Sequence, residues 1–237
     1  MKVGLFIPCY VDAFMPEIGV ATLELLERLG VEVHYPLDQT CCGQPMANAG
    51  CHDDAAPVER QFLRCFEKFD CVVTPSSSCA HHVRARKNLH SNCLELSEFL
   101  HDVLKVREFP WARFAHRVGL HVGCAGLRGL GLASTSEIAG PRYSKPRALL
   151  ERVRGIEFVK PARPDECCGF GGTFSVTEEP VSARMGYDKV NDHKAAGAQY
   201  IVTPDPSCMM HQRGCAERQG LDLKFIHLAQ VLNGAPE

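Results

Sequence analysis

Thirteen cysteines in 237 residues are the feature of this sequence with the clearest chemical potential. Eight of them form two similar sets, each with a single cysteine, an adjacent Cys-Cys-Gly triplet and a further single cysteine. The two sets are Cys9, Cys41, Cys42 and Cys79, and then Cys124, Cys167, Cys168 and Cys208. Thiolate sulfur is a soft ligand that suits zinc and iron–sulfur clusters. Each set therefore predicts a metal site with four sulfur ligands.

The adjacent cysteines of each triplet indicate which type of metal site is expected. Successive side chains of an extended segment point apart, so a tight turn is needed for both sulfurs to face one site. Gly43 and Gly169, which follow the two pairs, permit such a turn. A single zinc ion is more often held by Cys-x2-Cys segments, whereas adjacent cysteines fit a multinuclear cluster, whose metals they can bind separately.

Three histidines stand close to the cysteines in the sequence. His82 and His211 each follow the last cysteine of a set by three residues, and His121 precedes Cys124 by three. For His82 and His211 three roles are open: metal ligand, hydrogen-bond donor to sulfur, or exposed helix residue. His121 lies in a predicted strand, which favours a place behind the ligands or in the core.

The remaining five cysteines do not share the pattern. Cys65 lies on the apolar face of a predicted helix, and Cys71 and Cys93 match Tyr200 and Phe225 in the repeat, so we expect all three in the core. Cys51 lies in a predicted loop and is expected to have no role. Cys215 has no assigned role.

The elements that must position the two sets are repeated along the chain. "VGLFIPC" (3–9) matches "VGLHVGC" (118–124), and "CVVTPSSSC" (71–79) matches "YIVTPDPSC" (200–208). Because such matches keep the same order, they indicate two homologous halves, 1–110 and 111–237.

Within each half, short apolar strands alternate with amphipathic helices, which predicts an α/β fold with parallel strands joined by right-handed crossovers. We expect two pseudo-symmetric halves, each a small Rossmann-like sheet with helices. Each ligand cysteine follows a predicted strand, so the cysteine loops should meet at the carboxyl-terminal edge of each sheet.

Composition excludes several classes of function. The formal net charge is −2 and there is one Trp, so we expect no nucleic-acid partner. No apolar run is long enough for a membrane span, and the start lacks a signal-peptide pattern. We therefore expect a cytoplasmic protein without membrane insertion, in which the thiols stay reduced.

The segments "TCCGQPM" (40–46) and "ECCGFGGTF" (166–174) resemble the cysteine-rich CCG-domain family, and the resemblance covers nearly the whole chain. This family includes the cysteine-rich subunit of heterodisulfide reductase, the iron–sulfur subunit of glycolate oxidase and the lactate utilisation proteins. The compact length, "CCGFGGTFSV" and the lack of a ferredoxin motif are most similar to the lactate utilisation members.

The resemblance implies an electron-transfer subunit that binds iron–sulfur clusters of the 4Fe-4S type through the eight cysteines of the two sets. It further implies a complex that oxidises L-lactate to pyruvate, with partners that include a ferredoxin-type iron–sulfur protein. His82 and His211 depart from the heterodisulfide reductase pattern, which has cysteine at both positions. The alternatives are a structural or assembly subunit with zinc in one or both halves, a glycolate oxidase or heterodisulfide reductase type of subunit, and a thiol–disulfide enzyme using Cys41 and Cys42.

Overall fold

The computed structural model describes residues 1–86 and 89–234 and contains two four-stranded parallel sheets. The first sheet consists of β1 (Val3–Leu5), β2 (Val33–His34), β3 (Cys71–Thr74) and β4 (Cys93–Glu95). The second consists of β5 (Arg117–Leu120), β6 (Glu157–Phe158), β7 (Tyr200–Thr203) and β8 (Lys224–His227). Their strand orders, β2-β1-β3-β4 and β6-β5-β7-β8, are the same. The predicted α/β fold with two pseudo-symmetric halves is confirmed.

Helices connect the strands of each sheet. The first half contains α1 (Cys9–Phe14), α2 (Pro16–Arg28), α3 (Gln44–Asn48), α4 (His52–Phe66), α5 (Ser77–Ala85) and α6 (Leu96–Glu98). The second half contains α7 (Lys145–Leu150), α8 (Phe174–Thr177), α9 (Glu179–Ala195), α10 (Pro206–Arg218) and α11 (Leu228–Asn233). Short π-helical segments occupy Phe99–Val103 and Ala125–Gly129.

The inner strands are buried because they are covered on both faces. All four residues of β3, "CVVT", are buried, and three of the four in β7, "YIVT", are buried. Continuous β-branched and apolar runs are typical of parallel strands with helices on both faces. Cys71 in β3 and Cys93 in the edge strand β4 are at most 1% exposed, so their predicted place in the core is confirmed.

The two halves share one hydrophobic core. Helix α2 of the first half packs on α11 of the second, and residues of both sheets belong to one buried cluster. Trp111 Nε1 donates to Leu232 O at 3.0 Å, and the Arg28 guanidinium lies 5.1 Å from the centre of the indole. The predicted division at residue 110 stays a prediction, and residues 235–237 lie outside the described part.

Three details differ from the sequence prediction. The fourth strands, β4 and β8, were not predicted as elements of either sheet. Cys65 is only partly buried, and its Sγ lies 3.6 Å from Asp38 Oδ1, so it stands at the edge of the core. Cys215, for which no role was predicted, is 5% exposed and belongs to an apolar cluster of the second half.

Within residues 1–86 and 89–234, none of the helices combines the length and the apolar character that a membrane crossing requires.

Candidate metal centre

The eight cysteines of the two sets lie near the carboxyl ends of the strands, as predicted, but several belong to helices rather than loops. Cys9 is the first residue of α1, and Cys79 and Cys208 lie in the first turns of α5 and α10. These turns are fixed by capping side chains. Ser76 Oγ accepts from the Cys79 amide at 3.3 Å, and Asp205 Oδ1 accepts from the Ser207 amide at 3.1 Å.

In the first half the four sulfurs are linked by pairwise contacts. Cys9 Sγ lies 3.6 Å from Cys41 Sγ, and Cys42 Sγ lies 3.5 Å from Cys79 Sγ. Cys41 and Cys42 also contact each other through their side chains. Thiol sulfurs at such distances can share one metal ion or cluster.

The second half repeats this arrangement. Cys167 is hydrogen-bonded to Cys124 and Cys168, and Cys168 is hydrogen-bonded to Cys208. Cys168, like its counterpart Cys42, is 2% exposed. The four cysteines that the sequence assigned to each half are therefore brought together in both halves.

The predicted tight turn of each Cys-Cys-Gly triplet is present. Gly43 and Gly169 both have a φ of 90°, in the region where glycine is favoured. The amide of Gly43 donates to Cys41 Sγ at 3.4 Å, and the amide of Gly169 donates to Cys167 Sγ at the same distance. The glycines thus both turn the chain and place a backbone N–H on a ligand sulfur.

All eight cysteines line a single cavity of about 450 Å³. The sequence predicted two separate sets at two sheet edges, and their convergence follows from the packing of one half on the other. The interface beside the cavity includes a hydrogen bond from the Ser78 amide to Asp205 Oδ2 at 2.7 Å. Gly171 and Gly172 also line this space with positive φ angles, so backbone approaches the cysteines without a Cβ.

The crowding of the sulfurs makes their protonation unequal. Hydrogen bonds donated by Cys42 and Cys9 lower the pKa of Cys41 to about 3, and those donated by Cys124 and Cys168 strongly lower the pKa of Cys167. The thiols that donate have raised pKa values. The first cysteine of each triplet is thus the one that ionises most readily, and metal binding, which requires thiolates, would release the protons of the thiols that donate to it.

His82 and His211 lie behind the triplets. His82 Nε2 is 3.7 Å from Glu59 Oε1, and His211 Nε2 is 3.2 Å from Ser182 O. Each ring also bonds the backbone of a triplet cysteine, Cys42 for His82 and Cys168 for His211. Neither histidine is among the described residues that line the cavity. In this arrangement they support the triplet backbone, and metal ligation by either one stays a prediction.

His121 is placed differently. One of its ring nitrogens and the sulfurs of Cys168 and Cys208 all lie within 4.8 Å of one another. The side chain is fully buried. Sequence reasoning favoured a place behind the cysteines or in the core; the side chain is in the core, with one ring nitrogen close to two of the sulfurs.

The sequence profile of the CCG cysteine-rich domain matches this chain twice, over residues 3–84 and 118–213. These are the segments that carry the two cysteine sets. The chain belongs to the CCG cysteine-rich domain family. The predicted family is thereby confirmed, and the two matches coincide with the two pseudo-symmetric sheets.

This CCG-domain chain is similar in sequence to proteins of nearly the same length. Lactate utilization protein A of Geobacillus kaustophilus is 39% identical, with 98% of this chain and 99% of the relative covered. Lactate utilization protein A of Macrococcus caseolyticus is 36% identical, with 100% and 98% covered. Among solved structures, a glutamate racemase from Bacillus anthracis aligns with 98% of this chain and 78% of its own, at 10% identity and a TM-score of 0.37. That likeness is too low to bear on fold or function.

Proposed function

We propose that this CCG-domain protein is an iron–sulfur electron-transfer subunit of a multi-protein system for lactate utilisation. The observation that carries the proposal is the convergence of eight cysteines on one cavity between the two halves. The role in lactate utilisation is supported by the names of relatives that match this chain over nearly their whole length. The same proposal places the protein in the cytoplasm, where its thiols stay reduced.

The residues present fit clusters of the 4Fe-4S type. Cys9, Cys41, Cys42 and Cys79 would hold one, and the second set, Cys124, Cys167, Cys168 and Cys208, would hold another. Iron–sulfur clusters supply one-electron transfer at potentials that hydrogen bonds to sulfur and solvent exposure adjust. The amides of Gly43 and Gly169, which already donate to sulfur, would contribute such bonds.

The mouth of the cavity favours a protein partner. Tyr10 and Phe170 line the cavity with their ring centres 5.8 Å apart, and Tyr10 stacks on Phe14 at 6.1 Å. Phe14 is 65% exposed. Aromatic side chains are enriched in protein interfaces. We place a ferredoxin-type iron–sulfur subunit here, close enough to the cysteines to exchange electrons with them.

The test is metal and sulfide analysis of protein purified without oxygen. We expect several irons per chain with equal acid-labile sulfide, and a partial loss of both in Cys42→Ser and in Cys168→Ser. Cys51→Ser is the matched control, since Cys51 is exposed and is not among the described residues that line the cavity. Iron that is unchanged in both ligand variants would contradict the assignment.

Zinc is the second candidate, for one half in particular. The mixed group of His121, Cys168 and Cys208 is a donor set that zinc accepts readily. Zinc has no redox chemistry, so a chain that contains zinc and no iron after anaerobic reconstitution would be a structural or assembly subunit. The same analysis thus separates the two functions.

A further inference from the structure

The two cysteine sets differ at one position of the repeated strand that leads to them. When the segments "VGLFIPC" and "VGLHVGC" are aligned, Phe6 of the first half and His121 of the second occupy equivalent positions. Both side chains are fully buried. Phe6 packs against two other phenylalanines, whereas His121 brings two polar ring nitrogens to the corresponding place. A buried polar group without a partner is costly, so this exchange calls for a physical reason.

His121 has no such partner among residues 1–86 and 89–234. Neither of its ring nitrogens has a hydrogen-bond partner among the described residues. Its cationic neighbour Lys189 is engaged elsewhere, because Lys189 Nζ donates to the carbonyl oxygens of Arg163 and Pro164 at 2.7 and 3.1 Å. The nearby ring of His193 also has two unpartnered nitrogens. The hydrogen-bonding capacity of His121 is therefore unused by the described part of the polypeptide.

The ring nevertheless lies beside the ligand sulfurs. One nitrogen is within 4.8 Å of Cys168 Sγ and Cys208 Sγ, which are themselves within that distance of each other. A Cβ built on Gly123 would lie 2.9 Å from Cys208 Sγ and 3.8 Å from His121 Nε2, so the glycine leaves open the space beside both atoms. Donor atoms around one tetrahedral metal stand about 3.5–4 Å apart, given metal–donor distances of about 2.0–2.3 Å.

We propose that His121 supplies a nitrogen ligand to the metal of the second cysteine set, while the first set, with Phe6 in its place, binds through sulfur alone. This inference rests on the proposed function only in that both sets hold metal. It assigns His121 to coordination and leaves His82 and His211, which bond the triplet backbone, outside the ligand set.

A nitrogen ligand would make the two centres unequal. Imidazole is neutral where thiolate is negative, and the identity of the ligands is one of the features that set the reduction potential of a centre. The two centres are therefore expected to differ in reduction potential.

The test is pulsed electron paramagnetic resonance of the reduced holoprotein, with wild type compared to His121→Phe. We expect a strong nitrogen coupling of a bound imidazole in the wild type and its loss in the variant. His193→Ala removes a neighbouring buried imidazole and should keep the coupling. Phenylalanine is the residue that the first half carries at this position, and His121→Asn provides a second, smaller replacement. A redox titration should show one potential shifted in both His121 variants and the other unchanged.

The outcomes separate this inference from the proposed function. If the protein contains zinc alone, the electron-transfer function fails, but X-ray absorption at the zinc edge should still show a nitrogen neighbour that His121→Phe removes. If iron and sulfide are present without imidazole coupling, or if the coupling persists in both His121 variants, the nitrogen ligand is refuted and the proposed function stands. A chain that binds no metal overturns both.

Discussion

The interior next to the first cysteine set contains an aromatic cluster, whereas the interior next to the second contains buried polar side chains. The Phe6 ring is 5.0 Å from Phe62 and 5.6 Å from Phe66, measured between ring centres. The second half carries His121, Lys189 and His193 in the same region, all fully buried. The ligand turns are alike in the two halves, so the interior behind them has diverged while the sulfur geometry has been kept.

A second difference between the halves concerns the carbonyl group three residues before each triplet, which accepts a hydrogen bond from a different type of side chain in each half. Gln61 Nε2 donates to Asp38 O at 2.8 Å, three residues before Cys41. Lys189 Nζ donates to Pro164 O at 3.1 Å, three residues before Cys167. The bond to the segment before the triplet is preserved, but the second half supplies it from a buried amine, whose pKa is lowered by burial. The second site therefore lies in a more polar and more cationic environment.

A large effect should come from the aromatic cluster. Phe6→Ala is expected to lower the free energy of unfolding by about 3–5 kcal/mol, because it removes a fully buried ring and leaves a cavity. His193→Ala should cost about 1 kcal/mol, since its lost packing is offset by removal of two polar atoms that have no partner in the described part of the chain. Urea unfolding of both variants measures the difference. Equal costs would show that the two interiors are energetically alike.

The fourth strands end in different buried titratable groups, and the first half carries an acid. Burial raises the pKa of Glu95 to about 8, although its side chain accepts from the Ser97 amide at 2.8 Å. An acid whose pKa is higher in the folded state stabilises the fold below its unfolded pKa and loses that contribution as pH rises. We expect the free energy of unfolding to fall by about 4–5 kcal/mol between about pH 4.5 and 8, at about 1.4 kcal/mol per pKa unit.

Glu95→Gln keeps an acceptor for the Ser97 amide and should abolish this loss. Its unfolding free energy should match the wild type near about pH 5 and exceed it at about pH 8, as measured by urea titration at several pH values. A wild type and variant that fall in parallel would show that the acid is ionised in the folded protein.

The corresponding group of the second half should act in the opposite direction. Burial lowers the pKa of His227 to about 4, and its Nδ1 accepts from the Ala229 amide at 3.1 Å, which caps α11. When folding lowers the pKa of a base, the unfolded chain binds a proton at a pH where the folded protein does not. The free energy of unfolding therefore falls as the pH is lowered. We expect the unfolding free energy to fall by about 3 kcal/mol as pH drops from about 6.5 to 4.

His227→Asn preserves a capping acceptor and removes this titration. The variant should be less sensitive to acid than the wild type, and metal content measured at each pH keeps loss of metal apart from titration of the cap. If the free energy of unfolding of the variant falls at low pH as much as that of the wild type, another group than His227 causes the loss. The buried acid of the first half, Glu95, thus lowers the free energy of unfolding as the pH rises. The buried base of the second half, His227, lowers it as the pH falls.

The repeated motifs were sufficient to predict much of the fold. β3 and β7 lie where the apolar runs "CVVT" and "YIVT" indicated, and the strand ends carry the cysteines as expected. The strands β4 and β8 were missed because their sequences, "CLE" and "KFIH", mix charged and apolar residues and lack the continuous apolar run of β3 and β7. Helices at the last cysteine of each set were missed because their capping residues, Ser76 and Asp205, are equally typical of loops.

The site was only partly predictable for a different reason. Spacing could group Cys9, Cys41, Cys42 and Cys79, since strand ends converge within one sheet. It could not show that both groups open into one cavity, because that depends on how the halves pack. Nor could it show that Lys189 is buried, as lysine in a polar helix is ordinarily exposed. The exchange of Phe6 for His121 was visible in the repeat, but its proximity to sulfur required coordinates.

The smallest effect tests the triplet turns, which are the most similar parts of the two halves. Gly43 and Gly169 share a φ of 90°, so alanine is strained at both. The atom nearest to a Cβ on Gly43 would be Glu59 Cγ at 3.3 Å, with the backbone oxygen of Ala55 at 3.7 Å, whereas a Cβ on Gly169 would lie 2.6 Å from the backbone oxygen of Ser182. Gly43→Ala should therefore cost about 1 kcal/mol and Gly169→Ala about 2 kcal/mol.

Because helix α9 supplies the obstructing oxygen, Gly169→Ala must shift either the triplet or the helix. We expect it to reduce metal bound by the second set, while Gly43→Ala, whose neighbour can rotate away, retains metal in the first. Thermal unfolding together with metal analysis of both variants measures this. Equal losses of metal would mean that the left-handed turn alone governs ligand placement, and that the closer packing behind the second triplet has no effect on its site.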